Sequence, residues 1–507
     1  MKGIQSNGFL PIIAQAIAEM EELHGEFAGI NEINLAELGR RTGISRAKLR
    51  RLKANGFCET PHGLIIVCLA ALAALHTEEK QEQIKTSGET VLSIEPAKVT
   101  ALSWEQDGTT LSFHRGDDGW QYDDDAEFPV SDSAMDALLE QFYGFGASFT
   151  IENAEDLSQY GLDEPTCTIT LTTDDETYMV KLGDYSTMDS QRYVDIGDGN
   201  VYLAASDPLD AYDVELKDLI ANDDVPYFDE VSQIHFAGSE DYSVIYDENG
   251  KSICADDVYF TADGKPLDTS RVNSYISKLR YLALTDYVTY KVTEAELSAC
   301  GLDDPELSVS VDYTDDGTSD TFVLHISRDP TEKKAAADAE DEDDTDITAY
   351  ARVGDSKIIY QISGSSYHSL MAAGYNDLRH QEIFSGDFDD VTGIDVTLDG
   401  EAYTLTSQKD GKERTWLCEE AEIEIGDLQD ALEALTAEKF TSEKAAGQQE
   451  ISLTLHLDHE DEPELTITLY RCDGSKCLAV VDGKSVAYVP RGEMVTLAEA
   501  VRAIALN

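Results

Sequence analysis

From Val91 onward, apolar and polar residues alternate in short runs broken by Asp/Gly turns, the pattern of half-buried strands. Three stretches begin alike: VTALSWEQDGTTLSF from Val99, VSQIHFAGSEDYSVIY from Val231 and VTGIDVTLDGEAYTLT from Val391. Each reads as two strands and a turn, with Asp107-Gly108 and Asp399-Gly400 as hairpin signals. A third strand and one amphipathic helix follow in each. The helical stripes are Met135, Leu138, Leu139 and Phe142; Val272, Tyr275, Ile276 and Leu279; and Leu428, Ala431, Leu432 and Leu435. All three are spaced i, i+3, i+4, i+7, which lays one apolar face on a sheet. Asp132, Thr269 or Ser270, and Asp427 are the expected N-caps.

The first two copies then carry near-identical elements, NAEDLSQYGLDEP at 153–165 and TEAELSACGLDDP at 293–305. Asn153 and Thr293 are expected to cap a short helix, with Leu157 and Leu297 pointing inward. Gly161 and Gly301 end it left-handed, and Pro165 and Pro305 block continuation and start a strand. The third copy lacks the element and passes from Ala445-Ala446-Gly447 into ISLTLHL. Each unit closes with a strand pair (RYVDIGDGNVYLAA, AYARVGDSKIIYQI, CLAVVDGKSVAYVP) and a terminal helix, clearest at Val495, Leu497, Ala498 and Val501. The predicted fold class is therefore α+β: tandem repeats of antiparallel sheet with one packed helix each, after a small all-α segment. The expected domains are 1–60 (helical), 61–88 (hydrophobic segment and linker), 89–228, 229–386 and 387–507. The second repeat holds an acidic insertion at 331–347, and the third is shortened.

The N-terminal part has a different texture. Residues 34–57, NLAELGRRTGISRAKLRRLKANGF, read as two helices around a Thr42-Gly43 turn, with Ser45 as N-cap of the second. That helix would carry Arg46, Lys48, Arg50, Arg51 and Lys53 toward a DNA groove. The segment resembles the helix-turn-helix of bacterial transposases and resolvases; a helical hairpin with a solvated basic face is the plainer reading. Leu64–Leu75 is a run of twelve apolar residues, about 18 Å of helix against a hydrocarbon core of about 30 Å. Half an anchor, a signal-type segment and a buried helix all fit that length. The basic residues before it and the acidic stretch after it favour an anchor with the repeats outside the cell. The change of texture at Gly63-Leu64 suggests an insertion or misjoined reading frame.

Charge sharpens this division. Residues 1–76 hold eight Lys/Arg and seven Asp/Glu, whereas the rest holds 29 basic and 94 acidic residues of a chain with net charge −64. Such a surface repels nucleic acid and anionic lipid, and suits an exported domain or a salty cytoplasm. The 8 Cys form no CxxC pair, so neither a zinc ribbon nor a disulfide framework is indicated. Cys472 and Cys477 flank the Asp473-Gly474 turn and could face each other across a hairpin; two free thiols are the plainer expectation. His456 and His459, with Glu460, Asp461 and Glu462, point to opposite faces if on a strand. Asp123-Asp124-Asp125 lacks the alternating ligands of a calcium loop. No catalytic residue, cofactor or metal ligand is expected. The 24 Tyr suit sheet faces or a contact surface.

VLSIEPAKVTALSW as a strand pair, Trp120, the amphipathic helix, YGLDEP and the strand ending VYLAASD together resemble the bacterial domain-of-unknown-function family 4340. The resemblance spans residues 89–385, with 386–507 as a partial third copy. It implies a non-enzymatic, single-pass, membrane-anchored envelope protein that binds a protein partner, with ABC-transporter subunits the implied candidates. The alternative is a one-component membrane regulator with a cytoplasmic helix-turn-helix. Nucleic acid is a partner only if the N-terminal segment is functional.

Overall fold

The computed structural model describes residues 88–337, 347–410 and 413–505. The basic positions Arg46, Lys48, Arg50, Arg51 and Lys53, the apolar run 64–75 and most of the acidic insertion lie outside them. The described residues form three antiparallel sheets of nine strands with few helices. Backbone contacts divide the chain between Ala221 and Asn222, so the second and third sheets share one unit.

The first sheet comprises β1 (Glu89–Leu92), β2 (Val99–Gln106), β3 (Thr109–Gly116), β4 (Gly119–Tyr122), β5 (Phe145–Ile151), β6 (Cys167–Thr173), β7 (Thr177–Ser186), β8 (Gln191–Asp195) and β9 (Val201–Ala204). The second comprises β10 (Glu230–Ala237), β11 (Asp241–Tyr246), β12 (Tyr259–Thr261), β13 (Pro266–Leu267), β14 (Tyr287–Thr289), β15 (Leu307–Asp315), β16 (Thr318–Arg328), β17 (Ala349–Val353) and β18 (Ile359–Ile362). The third comprises β19 (Val391–Leu398), β20 (Glu401–Asp410), β21 (Glu413–Cys418), β22 (Ala421–Ile423), β23 (Lys439–Phe440), β24 (Gln449–Leu457), β25 (Glu464–Arg471), β26 (Lys476–Val481) and β27 (Lys484–Pro490).

The strand orders are β13-β12-β11-β10-β15-β16-β17-β18-β14 and β22-β21-β20-β19-β24-β25-β26-β27-β23, one topology used twice. The first sheet, β1-β5-β9-β8-β7-β6-β2-β3-β4, is the same topology read from its other edge, without the fourth strand and with β1 added beyond β5. The expected pairing of β1 with β2 is corrected here. Both flanks of β2 are taken by β3 and β6, so β1 joins the free edge of β5 instead.

The shared Val-Thr/Ser start has a physical reason. In each sheet the central pair carries a β-bulge at that point: between Val99 and Ala101, Val231 and Gln233, and Val391 and Gly393. The extra residue is Thr100, Ser232 or Thr392. Its hydroxyl donates to the facing carbonyl of Thr172, Asp312 or His456 at 3.1, 3.1 and 3.0 Å. A hydroxyl residue thus occupies a carbonyl that the bulge takes out of the regular ladder. Asp107-Gly108 and Asp399-Gly400 are turns with positive φ at both residues, as are Asp316-Gly317 and Asp482-Gly483, the two-residue hairpin chemistry expected for Asp-Gly.

The sheet-packing helices are α1 (Asp132–Glu140), α3 (Thr269–Arg280) and α5 (Gly426–Glu433), and the terminal helices are α2 (Leu209–Tyr212), α4 (Gly364–Met371) and α6 (Arg491–Ala505). All twelve stripe residues are buried. The caps are displaced from the expected residues. Ser131 and Asp268 cap α1 and α3. Asp132 and Thr269, one residue later, instead accept the backbone N–H of Trp120 and Val258, tying each helix to the segment of the third strand. Helix α5 follows Ile425 and has no side-chain cap, so Asp427 acts in its first turn only through the helix dipole.

The GLDEP and GLDDP elements are seats for the sheet. Gly161 and Gly301 are left-handed, at φ 68° and 71°. Thr293 and Glu296 form a capping box on Glu294–Ala299. Asn153 is no cap: it sits at positive φ in a turn, and Asp156 accepts from Ser158 N–H to start the short helix. The inward leucines are Leu162 and Leu302, while Leu157 and Leu297 are half-buried. Gly183 on β7 admits this element. A Cβ there would sit 2.2 Å from the Tyr160 carbonyl oxygen. At the matching register of the second sheet, Ser327 donates to the Gly301 carbonyl at 2.8 Å. Gly183→Ala should therefore lower the stability of the first sheet by about 1–3 kcal/mol, read by urea denaturation through Trp104 and Trp120. An unchanged midpoint would show that the element does not rest on this strand.

Candidate functional site

The second repeat departs from the others between its second and third strands. Two residues join β3 to β4 and β20 to β21, but residues 247–258 join β11 to β12. This long loop folds on itself. Asp247 N–H and Val258 carbonyl close its base at 2.8 Å, and Asp257 N–H donates to the Cys254 carbonyl at 3.1 Å. Ser252 Oγ donates to Asp257 Oδ2 at 2.7 Å and accepts from Cys254 N–H at 3.2 Å. Cys254 and Asp257 are thereby held on one tight turn.

The segment between the second and third sheets supplies the partner. Asp268 N–H donates to the Leu378 carbonyl at 3.0 Å, Arg379 stacks over Phe440 at 4.4 Å, and His380 follows. His380 Nε2 donates to both oxygens of Asp257 at 3.0 Å, and its Nδ1 lies 3.8 Å from Glu382. The Asp257 side chain is 1% exposed and that of His380 17%, so this is a buried charge-assisted bond. Beyond it the chain enters the third core: Ile383 N–H donates to the Leu435 carbonyl, Ile383, Phe384 and Phe388 join the buried cluster that holds Trp416, and Ile253 of the loop packs against that cluster. These groups open on a cleft of about 340 Å³ that also reaches Asp268 and Glu433.

Burial opposes a charge on His380, but the hydrogen bond and charge of Asp257, with Asp268 and Glu382 behind it, outweigh burial and hold the imidazole above its ordinary pKa. Burial pushes the Cys254 thiol up, with Asp257 and Asp256 adding to it. Cys, His and Asp are also the residue types of a thiol-hydrolase triad, yet a raised thiol is the reverse of an activated nucleophile. Cys254 Sγ, an Asp257 oxygen and a His380 nitrogen all lie within 4.8 Å of one another, as do donor atoms of Asp268, His380 and Glu382.

The other sequence candidates are tied into local structure. His456 on β24 pairs with Asp395 at 2.8 Å and lies 3.3 Å from Glu464, whereas His459 Nδ1 accepts from Glu462 N–H in the following turn. Asp123 pairs with His114, Asp124 accepts from Tyr122, and Asp125 accepts from Glu127 N–H. Cys472 and Cys477 are free thiols, one exposed and one buried. Gly161 and Gly301 hold left-handed helix ends, and Pro165 and Pro305 lie two residues before β6 and β15.

The chain matches the domain of unknown function DUF4340 twice, over residues 120–305 and 258–454. It belongs to that family. The first DUF4340 match runs from β4 to just before β15, and the second from just before β12 into β24. Each match thus runs across the linker between two sheets. The Cys254–Asp257–His380 cluster lies within the stretch that the two DUF4340 matches cover together. Neither curated proteins nor solved structures yield a match to this chain. Sequence reading missed the cluster because its halves are 123 residues apart; the one local sign was Cys254 three residues before Asp257.

Proposed function

We propose that this protein is a non-enzymatic, membrane-anchored component of the bacterial envelope, with the three sheets outside the membrane as a binding or accessory part of an ABC-type transport system. The observation behind it is the charge step along the chain. A near-neutral segment ends in the apolar run Leu64–Leu75, and everything beyond Thr77 carries a large acidic excess. Such a surface stays solvated and unattached to anionic lipid while an anchor holds it nearby. The sheets suit binding. One face of each is buried under helices; the other presents hydroxyls and polar groups, such as Ser308, Ser310 and Asp312 on β15 and Ser452, Thr454 and His456 on β24. The transport association rests on the family resemblance.

The test is fractionation of cells expressing the full chain. The protein should sediment with membranes, need detergent for release, and be cut by protease added outside; deletion of 64–75 should free it. A full chain that stays soluble without detergent would overturn the reading. The regulator alternative has residues 34–57 behind it, and requires salt-sensitive binding of the full chain to duplex DNA.

A further inference from the structure

We propose that the cleft at the junction of the second and third sheets binds one divalent transition-metal ion of the zinc class, through Cys254 Sγ, the Asp257 carboxylate and the His380 imidazole. The site stands apart from where the protein resides, so it holds or fails independently of the envelope reading.

Three observations carry it. The first is convergence: three different donor types meet within 4.8 Å. Zinc bonds of about 2.0–2.3 Å in a tetrahedron place ligand atoms about 3.2–3.8 Å apart. His380 Nε2 and Asp257 are already at 3.0 Å, so the metal takes the place of the shared proton, with Cys254 Sγ within 4.8 Å of both. Sulfur and imidazole donors select zinc-class ions over magnesium or calcium. Ser252, bonded to Asp257 Oδ2 at 2.7 Å, is the outer support that orients a metal-binding carboxylate.

The second is that the scaffold does not need these residues. In the first repeat, Ser131 N–H donates to the Leu219 carbonyl, just as Asp268 N–H donates to that of Leu378. Two residues after Leu219 stands Ala221, where the second repeat has His380 two residues after Leu378. The same backbone forms without the imidazole. The 247–258 loop that brings Cys254 and Asp257 is likewise peculiar to the second repeat.

The third is room. The cluster faces a cleft of about 340 Å³, which leaves a coordination position for water or a ligand group. The alternative trio of Asp268, His380 and Glu382 is poorer. Asp268 Oδ1 already accepts two backbone N–H groups of α3, and Oδ2 lies 3.3 Å from Arg271. A bound ion would clamp the long loop of the second repeat to the linker entering the third, stiffening their junction.

Cobalt(II) is the probe. The full chain, stripped by chelator and held in excess magnesium to fill the diffuse acidic surface, should take up one equivalent. It should show a near-ultraviolet thiolate-to-cobalt band and the visible bands of a tetrahedral site. Cys254→Ser should remove the thiolate band, His380→Gln should weaken binding by more than the roughly 10–100-fold that loss of an outer supporting residue costs, and Cys472→Ser should change neither. Absence of a thiolate band, or binding unaltered in C254S and H380Q, would overturn the site. Should a variant fail to fold, alkylation of the wild-type chain decides. Zinc should protect Cys254 but not Cys472, and equal labelling of Cys254 with and without zinc would refute the proposal.

Discussion

Asp207→Ala should destabilise the first sheet by about 3–5 kcal/mol. Arg192 on β8 and Asp207 beyond β9 are 10% and 12% exposed in their side chains. Arg192 Nε donates to both carboxylate oxygens at 2.8 and 2.9 Å, and Nη1 donates to the Gly183 carbonyl at 2.7 Å. Gly183 is also the residue on which the GLDEP element rests. Removing the carboxylate leaves a guanidinium in a dry site with one remaining bond. It also removes the acceptor for Leu209 N–H at 3.0 Å, which starts α2. The measurement is urea denaturation of the full chain. Fluorescence of Trp104 and Trp120 reports the first sheet, and Trp416 belongs to the third. The double replacement Arg192→Met with Asp207→Leu should recover much of the loss, because most of the single-variant penalty is an unpaired buried charge. A loss below about 1 kcal/mol in Asp207→Ala would mean that water reaches Arg192 and that the pair belongs to the weak surface class.

Tyr275→Ala should cost the second sheet about 3–5 kcal/mol, and Tyr275→Phe about 1–3. Tyr275 on α3 is 1% exposed. Its ring meets Phe236 edge-on at 5.1 Å, and its hydroxyl donates to the Leu370 carbonyl of α4 at 2.9 Å. The first repeat makes the same tie in reverse: Tyr212 of α2, fully buried, donates to the Leu138 carbonyl of α1 at 3.0 Å. The third repeat packs α5 on α6 through apolar residues such as Leu428, Leu432, Leu497 and Val501. The two substitutions separate packing from hydrogen bonding. Alanine leaves a cavity, whereas phenylalanine leaves only an unsatisfied carbonyl. Denaturation midpoints give the magnitudes, and amide exchange should show α3 and α4 opening together in both variants. Equal losses in the two variants would assign the whole effect to the bond. No loss in Tyr275→Phe would show the Leu370 carbonyl satisfied by water.

These ties explain part of the tyrosine content. Tyr212, Tyr275 and Tyr360 are among the largest fully buried side chains, while Tyr143, Tyr227 and Tyr281 stand exposed. The composition did not separate the two groups, since a tyrosine on a helix stripe and one on a loop differ only in what the tertiary fold sets opposite.

Much of the scaffold was legible because its causes are local. The i, i+3, i+4, i+7 stripes, the Asp-Gly turns and the left-handed Gly161 and Gly301 each depend on residues within one turn or one hairpin. The displaced caps mark the limit of that legibility. Asp132 and Thr269 have the right chemistry for a cap, but the third-strand backbone competes for them, and Ser131 and Asp268 take the role. The strands after the sheet-packing helices, β5, β14 and β23, were missed, as were β13 and β22; β14 and β23 are too short, at three and two residues, to carry a period of their own, and pairing with β9, β18 and β27 makes β5, β14 and β23 strands.

The amino-acid sequence by itself determined that there are three copies, where their longer strands and sheet-packing helices fall, and that Val-Thr/Ser opens each one. Tertiary structure alone decided the strand order, the bulge that gives those hydroxyls their task, and the meeting of Cys254, Asp257 and His380. The physical reason is range. Turn and helix energetics act over a few residues, whereas a cluster joined across 123 positions exists only after a linker has been fastened to two cores.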